Sequence, residues 1–133
     1  MQEGAGKMID NDDVNIEILL DHYRSPRNYG SIEDPSAQIT EHNPLCGDTV
    51  HFSIKAEKGR ILDIKFVGQG CSISQGAASI LTELVKGKTV GEAKAISEED
   101  FLKILGIRLG PNREKCALLS LNALKKCLVS IDE

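Results

Sequence analysis

Residues 50–84, VHFSIKAEKGRILDIKFVGQGCSISQGAASILTEL, change their hydrophobic period partway along. Val50, Phe52, Ile54 and Ala56 alternate with His51, Ser53 and Lys55, and Leu62, Ile64 and Phe66 alternate with Asp63 and Lys65. Period two is the signature of strands with one buried face, and Lys58-Gly59 between the two runs predicts a hairpin. Past Gly68 and Gly70 the apolar residues Ile73, Ala77, Ile80, Leu81 and Leu84 fall on one helical stripe, which reads as core. Ser72 with Gln75 three positions later is a capping-box pattern, so Ser72 is the expected N-cap and Cys71 is left just outside the helix.

Working outward, residues 1–13 are polar and acidic and are expected to form a disordered tail, with residues 14–133 as a single domain. Ile16, Leu19, Leu20 and Tyr23 predict a helix that stops at Ser25-Pro26, because the residue before proline is pushed out of the helical region. Ala37 to Glu41 reads as a short, weakly patterned strand. Thr89 with Glu92 predicts a short helix ending near Ser97, and Ser97 with Asp100 another that runs to about Leu105 and ends at Gly106. Asn112 is the expected cap of a last helix with the stripe Ala117, Leu121, Leu124 and Leu128, which puts Cys116 in its first turn.

With 133 residues the chain can bury a core without staples. A net charge of -4 and a pI near 5.4, with no cluster of Lys and Arg, argue against a nucleic-acid surface. No apolar run approaches the roughly 20 residues that span a membrane, and MQEGAGKMID has the marks of neither a secretory signal nor a transit peptide. The expected location is cytoplasmic, where four cysteines are not a disulfide framework. Metal binding, redox chemistry and plain packing remain as their roles.

Three of the cysteines stand in NPLCGD, GQGCSIS and REKCALLS, and Asp48 follows the first by two residues. Cys46, Asp48, Cys71 and Cys116 are the candidate ligand set. Thiolates select zinc, copper(I) or iron-sulfur clusters, and one hard carboxylate among them makes a looser site suited to passing cargo on. The missing CxxC spacing excludes a zinc ribbon or finger, and spacing alone leaves open whether the three cysteines meet. A helix start lowers a thiol pKa, so Cys71 and Cys116 are expected to ionise readily, while Gly47 lets the turn fold so that Cys46 and Asp48 face one centre. Cys127 lies about 16 Å from Cys116 along the same helix and reads as packing. His22 reads as a helix-end or packing residue and His51 as exposed on a strand's outward face; His42, four residues before Cys46, is within reach of a site that already has four candidate ligands.

The segments HYRSPRNYG, NPLCGD, GQGCSISQGAASILTELVKGK and KCALLSLNALKK resemble the U-type iron-sulfur cluster assembly scaffolds, the family of IscU, SufU and the N-terminal domain of NifU. The resemblance runs from about Val14 to Leu128. It implies an α+β fold, SufE/NifU-like, with a small, mainly antiparallel three-stranded sheet, helices packed on one face and a solvent-facing site at one end. By position, Cys46, Cys71 and Cys116 look like the cluster ligands, with Cys116 and Cys71 as candidate sulfur acceptors, and Asp48 looks like the carboxylate that keeps the cluster labile. Lys115 stands where many IscU proteins have histidine. Leu109-Gly110-Pro111-Asn112-Arg113 keeps only Leu109 and Pro111 of the LPPVK segment read by an Hsp70-type chaperone. The insertion of roughly twenty residues typical of SufU-like members does not fit between Ser97 and Pro111.

The resemblance implies a scaffold rather than an enzyme: a [2Fe-2S] cluster is assembled from iron and sulfur delivered by a cysteine desulfurase, then handed to apo-proteins. An iron donor completes the expected partners, with neither nucleic acid nor membrane among them, and the expected state is a monomer or a homodimer, with or without the cluster as its link. The alternative is a zinc-dependent sulfurtransferase of SufU type, with Zn2+ on the same four residues in the cluster-free form. Arg113 and Lys115 are placed to favour a thiolate at Cys116, or are simply a solvated helix start.

Overall fold

The alternating segments pair as a hairpin, β2 (Asp48–Glu57) with β3 (Arg60–Gln69), and the turn residues Lys58 and Gly59 both have positive φ, 52° and 76°. Two consecutive residues in that region match the right-handed twist of the strands they join. β1 (Ala37–Asn43) pairs antiparallel with the other edge of β2, giving the order β1-β2-β3. This computed structural model describes residues 11–44 and 47–131. Cys46, one of the expected ligands, and residues 1–10 of the expected tail lie outside the described residues.

The ladder slips once. Lys55 stands opposite Asp63 but Ala56 opposite Ile61, so Leu62 is an extra residue in β3. An extra residue reverses the facing of everything beyond it. Ile61 is therefore fully buried with Ile64 and Phe66, whereas Leu62, expected on the inner face, is 46% exposed.

α2 (Ser72–Val85) and α5 (Pro111–Leu128) cover one face of the sheet, α1 (Asn11–Arg24) packs on α2, and α3 (Val90–Lys94) and α4 (Glu98–Leu105) pack on α5. The core is Phe52, Ile54, Ile61, Ile64 and Phe66 against Ala77, Leu81 and Val85 of α2 and Ala117, Leu121, Leu124 and Leu128 of α5. The segment between α1 and β1 covers the other face. Gly30 and Asn28 exchange backbone hydrogen bonds with Phe66 along the free edge of β3, the Ile32 amide donates to the buried Ser53 Oγ, and the Ser36 amide reaches Ile54 O.

Several helix ends differ from the sequence expectation. α1 begins at Asn11, so residues 11–13 are helical rather than tail, and β1 continues past Glu41 to Asn43. Of the three predicted capping boxes, those at Thr89 with Glu92 and at Ser97 with Asp100 form and that at Ser72 with Gln75 does not, and Gly106 closes α4 at φ 65°. α3 ends at Lys94, short of Ser97. The N-cap of α2 is Cys71 instead of Ser72, because Cys71 is the extended residue and its own Sγ accepts the Ser74 amide. α5 is capped by Gly110 with Pro111 in the first position, where the fixed φ suits a helix start and the missing N–H is no loss. Asn112 is then inside the helix and Cys116 falls in the second turn, so a setting among unpaired amides belongs to Cys71 only.

α2 is buried on more than its apolar stripe, and its polar residues serve as joints. Ser79 Oγ lies 2.7 Å from His22 Nδ1 and accepts the Arg27 amide, and Thr82 Oγ1 accepts from Asn28 Nδ2. His22, 7% exposed, is a packing residue as expected. Gly76 lets α1 approach: a Cβ there would lie 2.7 Å from Leu19 O. Gly76→Ala is expected to destabilise the protein by about 1–3 kcal/mol, measured by urea unfolding.

Burial, then the positive charge of Arg27, hold the His22 pKa below its ordinary 6.5. As pH falls through about 6.5 the unfolded chain takes up a proton that the folded chain resists, so this residue's share of stability is complete above that pH and is lost below it. His22→Gln should flatten the fall in unfolding free energy between about pH 7 and pH 5, read from urea titrations at each pH.

Candidate metal centre

The centre is built where the β2–β3 hairpin hands over to α2. Thr49 pairs with Gln69, so Asp48, at the start of β2, comes level with Gly70 at the far end of the hairpin. Asp48 is 1% exposed, and the space for its carboxylate exists because residue 70 has no side chain: a Cβ on Gly70 would clash with Asp48 Oδ1. Gly70 also holds φ at +143°, a conformation open to glycine alone.

Asp48 Oδ1 accepts the Cys71 amide at 2.9 Å, and Oδ2 lies 3.8 Å from Cys71 Sγ. Cys71 is exposed, and its Sγ accepts the Ser74 amide at 3.5 Å as the cap of α2. Cys116 comes from α5 and is 3% exposed. One ligand atom from each of Asp48, Cys71 and Cys116 lies within 4.8 Å of the others. Two donors on one tetrahedral zinc ion, each about 2.0–2.3 Å from it, stand about 3.3–3.8 Å apart. The three groups therefore close by about an ångström at most to hold one ion.

A cavity of about 250 Å³ opens over Cys71 and Cys116, lined also by Ile73, Asn112 and Arg113. Arg113 thus borders the same space as the two sulfurs. Lys115 lines a neighbouring cleft instead, with His42, Asn43, Pro44 and the lysines at 125 and 126.

His42 Nδ1 is bonded to Thr49 Oγ1 at 3.1 Å and His51 Nδ1 to Thr40 Oγ1 at 2.7 Å, so both imidazoles belong to cross-strand pairs. His51 is half-buried rather than fully exposed. Cys127 is 2% exposed, and burial pushes its thiol pKa up to about 11. Two further residues take roles the sequence did not announce, Gln75 having read only as half of a capping box. Asn43 Nδ2 donates to Cys116 Sγ at 3.8 Å, and Gln75 Nε2 donates to the carbonyls of Thr49 and Gln69, clamping the hairpin end onto α2.

Residues 15–132 match the family described as the NifU-like N-terminal domain. The zinc-dependent sulfurtransferase SufU of Bacillus subtilis is 34% identical over 132 residues, 86% of this chain and 89% of that protein. The iron-sulfur cluster assembly scaffold protein IscU 1 of Archaeoglobus fulgidus is 39% identical over 111 residues, 84% of this chain and 72% of that protein. Among solved structures, a SUF-system iron-sulfur cluster assembly scaffold from Fervidobacterium islandicum AW-1 superposes with a TM-score of 0.73 at 27% identity, covering 84% of this chain and 94% of that one. With the α+β arrangement of a three-stranded antiparallel sheet and helices on one face, the chain belongs to the NifU-like N-terminal domain family.

Proposed function

We propose that this protein is a scaffold on which a [2Fe-2S] cluster is assembled from iron and desulfurase-derived sulfur and then released to apo-proteins. The observation that carries this reading is the gathering of Asp48, Cys71 and Cys116 from three separate elements to within 4.8 Å of one another. Cys46, four residues past His42 and two before Asp48, is the fourth ligand of the proposal. The cluster is cargo. A cluster meant to stay usually has four cysteine ligands, so a carboxylate in the set favours departure.

Sulfur arrives on the partner enzyme as a persulfide. A thiolate of this chain attacks the outer sulfur, a new S–S bond forms, and the partner's cysteine leaves with the electron pair of the broken bond. Cys71 is exposed to such a partner, and Cys116 opens onto the cavity beside Arg113. Three thiolates and a carboxylate bring roughly four negative charges, of which a [2Fe-2S] core offsets about two, so the Arg113 guanidinium favours the loaded state.

A second reading is a zinc-dependent sulfurtransferase, favoured by the 34% identity to the Bacillus subtilis protein of that name and by Lys115. The donor set suits zinc equally: thiolates and a carboxylate would hold the ion in a four-coordinate site. Bound zinc would supply charge that keeps the thiols deprotonated.

Anaerobic reconstitution with iron, cysteine and a desulfurase decides between them. A cluster chromophore lost in Cys46→Ser, Cys71→Ser and Cys116→Ser but kept in Cys127→Ser is expected. Retained zinc with persulfide turnover and no chromophore would establish the second reading instead. Asp48→Ala should lengthen the lifetime of the cluster and slow its transfer to an apo-ferredoxin, and equal transfer half-lives would remove that role from Asp48. Gly70→Ala, which drives a methyl group into the carboxylate, should weaken cobalt(II) binding at least several-fold with unchanged far-UV circular dichroism.

A further inference from the structure

Asn43 closes β1 and is 8% exposed. In the ladder it stands opposite Asp48, and its carbonyl accepts the Gly47 amide at 2.8 Å, which closes the short connection containing Cys46. Its side-chain Nδ2 donates to Cys116 Sγ on the helix packed against β1, 73 residues further along the chain. One residue thereby joins the root of the Cys46 connection to the cysteine of α5.

Cys116 is 3% exposed, so water contributes little to stabilising negative charge on its sulfur. A buried amide N–H aimed at the sulfur can supply that stabilisation, and hydrogen bonds to ligand sulfurs are among the factors that set cluster potentials. Partners behind the metal ligands are commonly worth 10–100-fold in affinity. We propose that Asn43 is a positioning residue of the centre, whose N–H···S hydrogen bond to Cys116 sets the reduction potential of the bound cluster and how long the centre retains its cargo. This rests on the proposed function of the same site.

The donor bond predicts that removing the N–H destabilises the more negative, reduced cluster most, which lowers the potential. Asn43→Asp keeps the size but replaces the donor by a carboxylate, so its effect should exceed that of Asn43→Ala. A packing role alone would alter stability in both variants and leave the potential where it is.

The direct test uses wild-type protein loaded with cadmium-113 and labelled with nitrogen-15. A scalar coupling between the cadmium and an Asn43 side-chain amide proton, transmitted through Cys116 Sγ, is expected. In parallel, reconstituted Asn43→Ala and Asn43→Asp should show lower midpoint potentials than wild type, and their cadmium should be extracted by a chelator roughly ten-fold faster or more. Cadmium uptake with no coupling, or unchanged potentials in both variants, overturns the role of Asn43 alone. If neither variant folds, the wild-type coupling decides by its presence or absence. Wild-type protein that takes up neither cadmium nor a cluster overturns the proposed function and this role with it.

Discussion

The hydrogen bond from the Cys71 amide to Asp48 Oδ1 ties the first residue of β2 to the cap of α2. It joins residues 23 apart, and the hairpin supplies the proximity, since the register that sets Thr49 against Gln69 leaves Asp48 and Gly70 side by side. A buried carboxylate without such a partner would carry a large desolvation cost. The same bond orients the group, because with Oδ1 engaged by the backbone, Oδ2 is turned toward the Cys71 sulfur. Gly70 and Gln75 protect this arrangement, one by leaving the space open and the other by tying both strand ends to the helix.

Much of this frame was legible in the residues. Alternation in Val50, Phe52 and Ile54 marked the hairpin, and the capping boxes at Thr89 and Ser97 marked two short helices, because those signals are local and need no knowledge of neighbours. The slip at Leu62 was hidden: a bulge is a property of a strand pair, and the apolar residues on either side of the slip both looked like core. The cap by Cys71 was missed for a related reason. Ser72 with Gln75 satisfies the pattern for a capping box, yet the extended backbone that defines a cap belongs to the residue before it, held there by Asp48.

For the site, residue type and order were readable, and convergence was not. Thiols and a carboxylate in three segments announce metal chemistry, but only the register of β2 with β3 and the lie of α5 bring Asp48, Cys71 and Cys116 together. Asn43 carried no signal, since an asparagine before proline reads as a turn residue. The contrast within α5 shows how strongly surroundings decide a thiol's use. Cys127 sits among Leu124, Leu128 and the other core residues with its thiol pKa at about 11, chemically quiet, whereas Cys116 borders a cavity beside a guanidinium.

The pairing of Asn28 and Gly30 with Phe66 bears on self-association. An edge strand normally offers a row of unused amides and carbonyls onto which a foreign strand can add, a route to fibrils. Here the polypeptide has spent part of that row on itself, at Phe66 on Asn28 and Gly30 and at Ile61 on Gly87 and Lys88, so a strand added at this margin meets a ladder already interrupted at both places. What the backbone no longer offers there falls to side chains, which discriminate among partners as a backbone template does not.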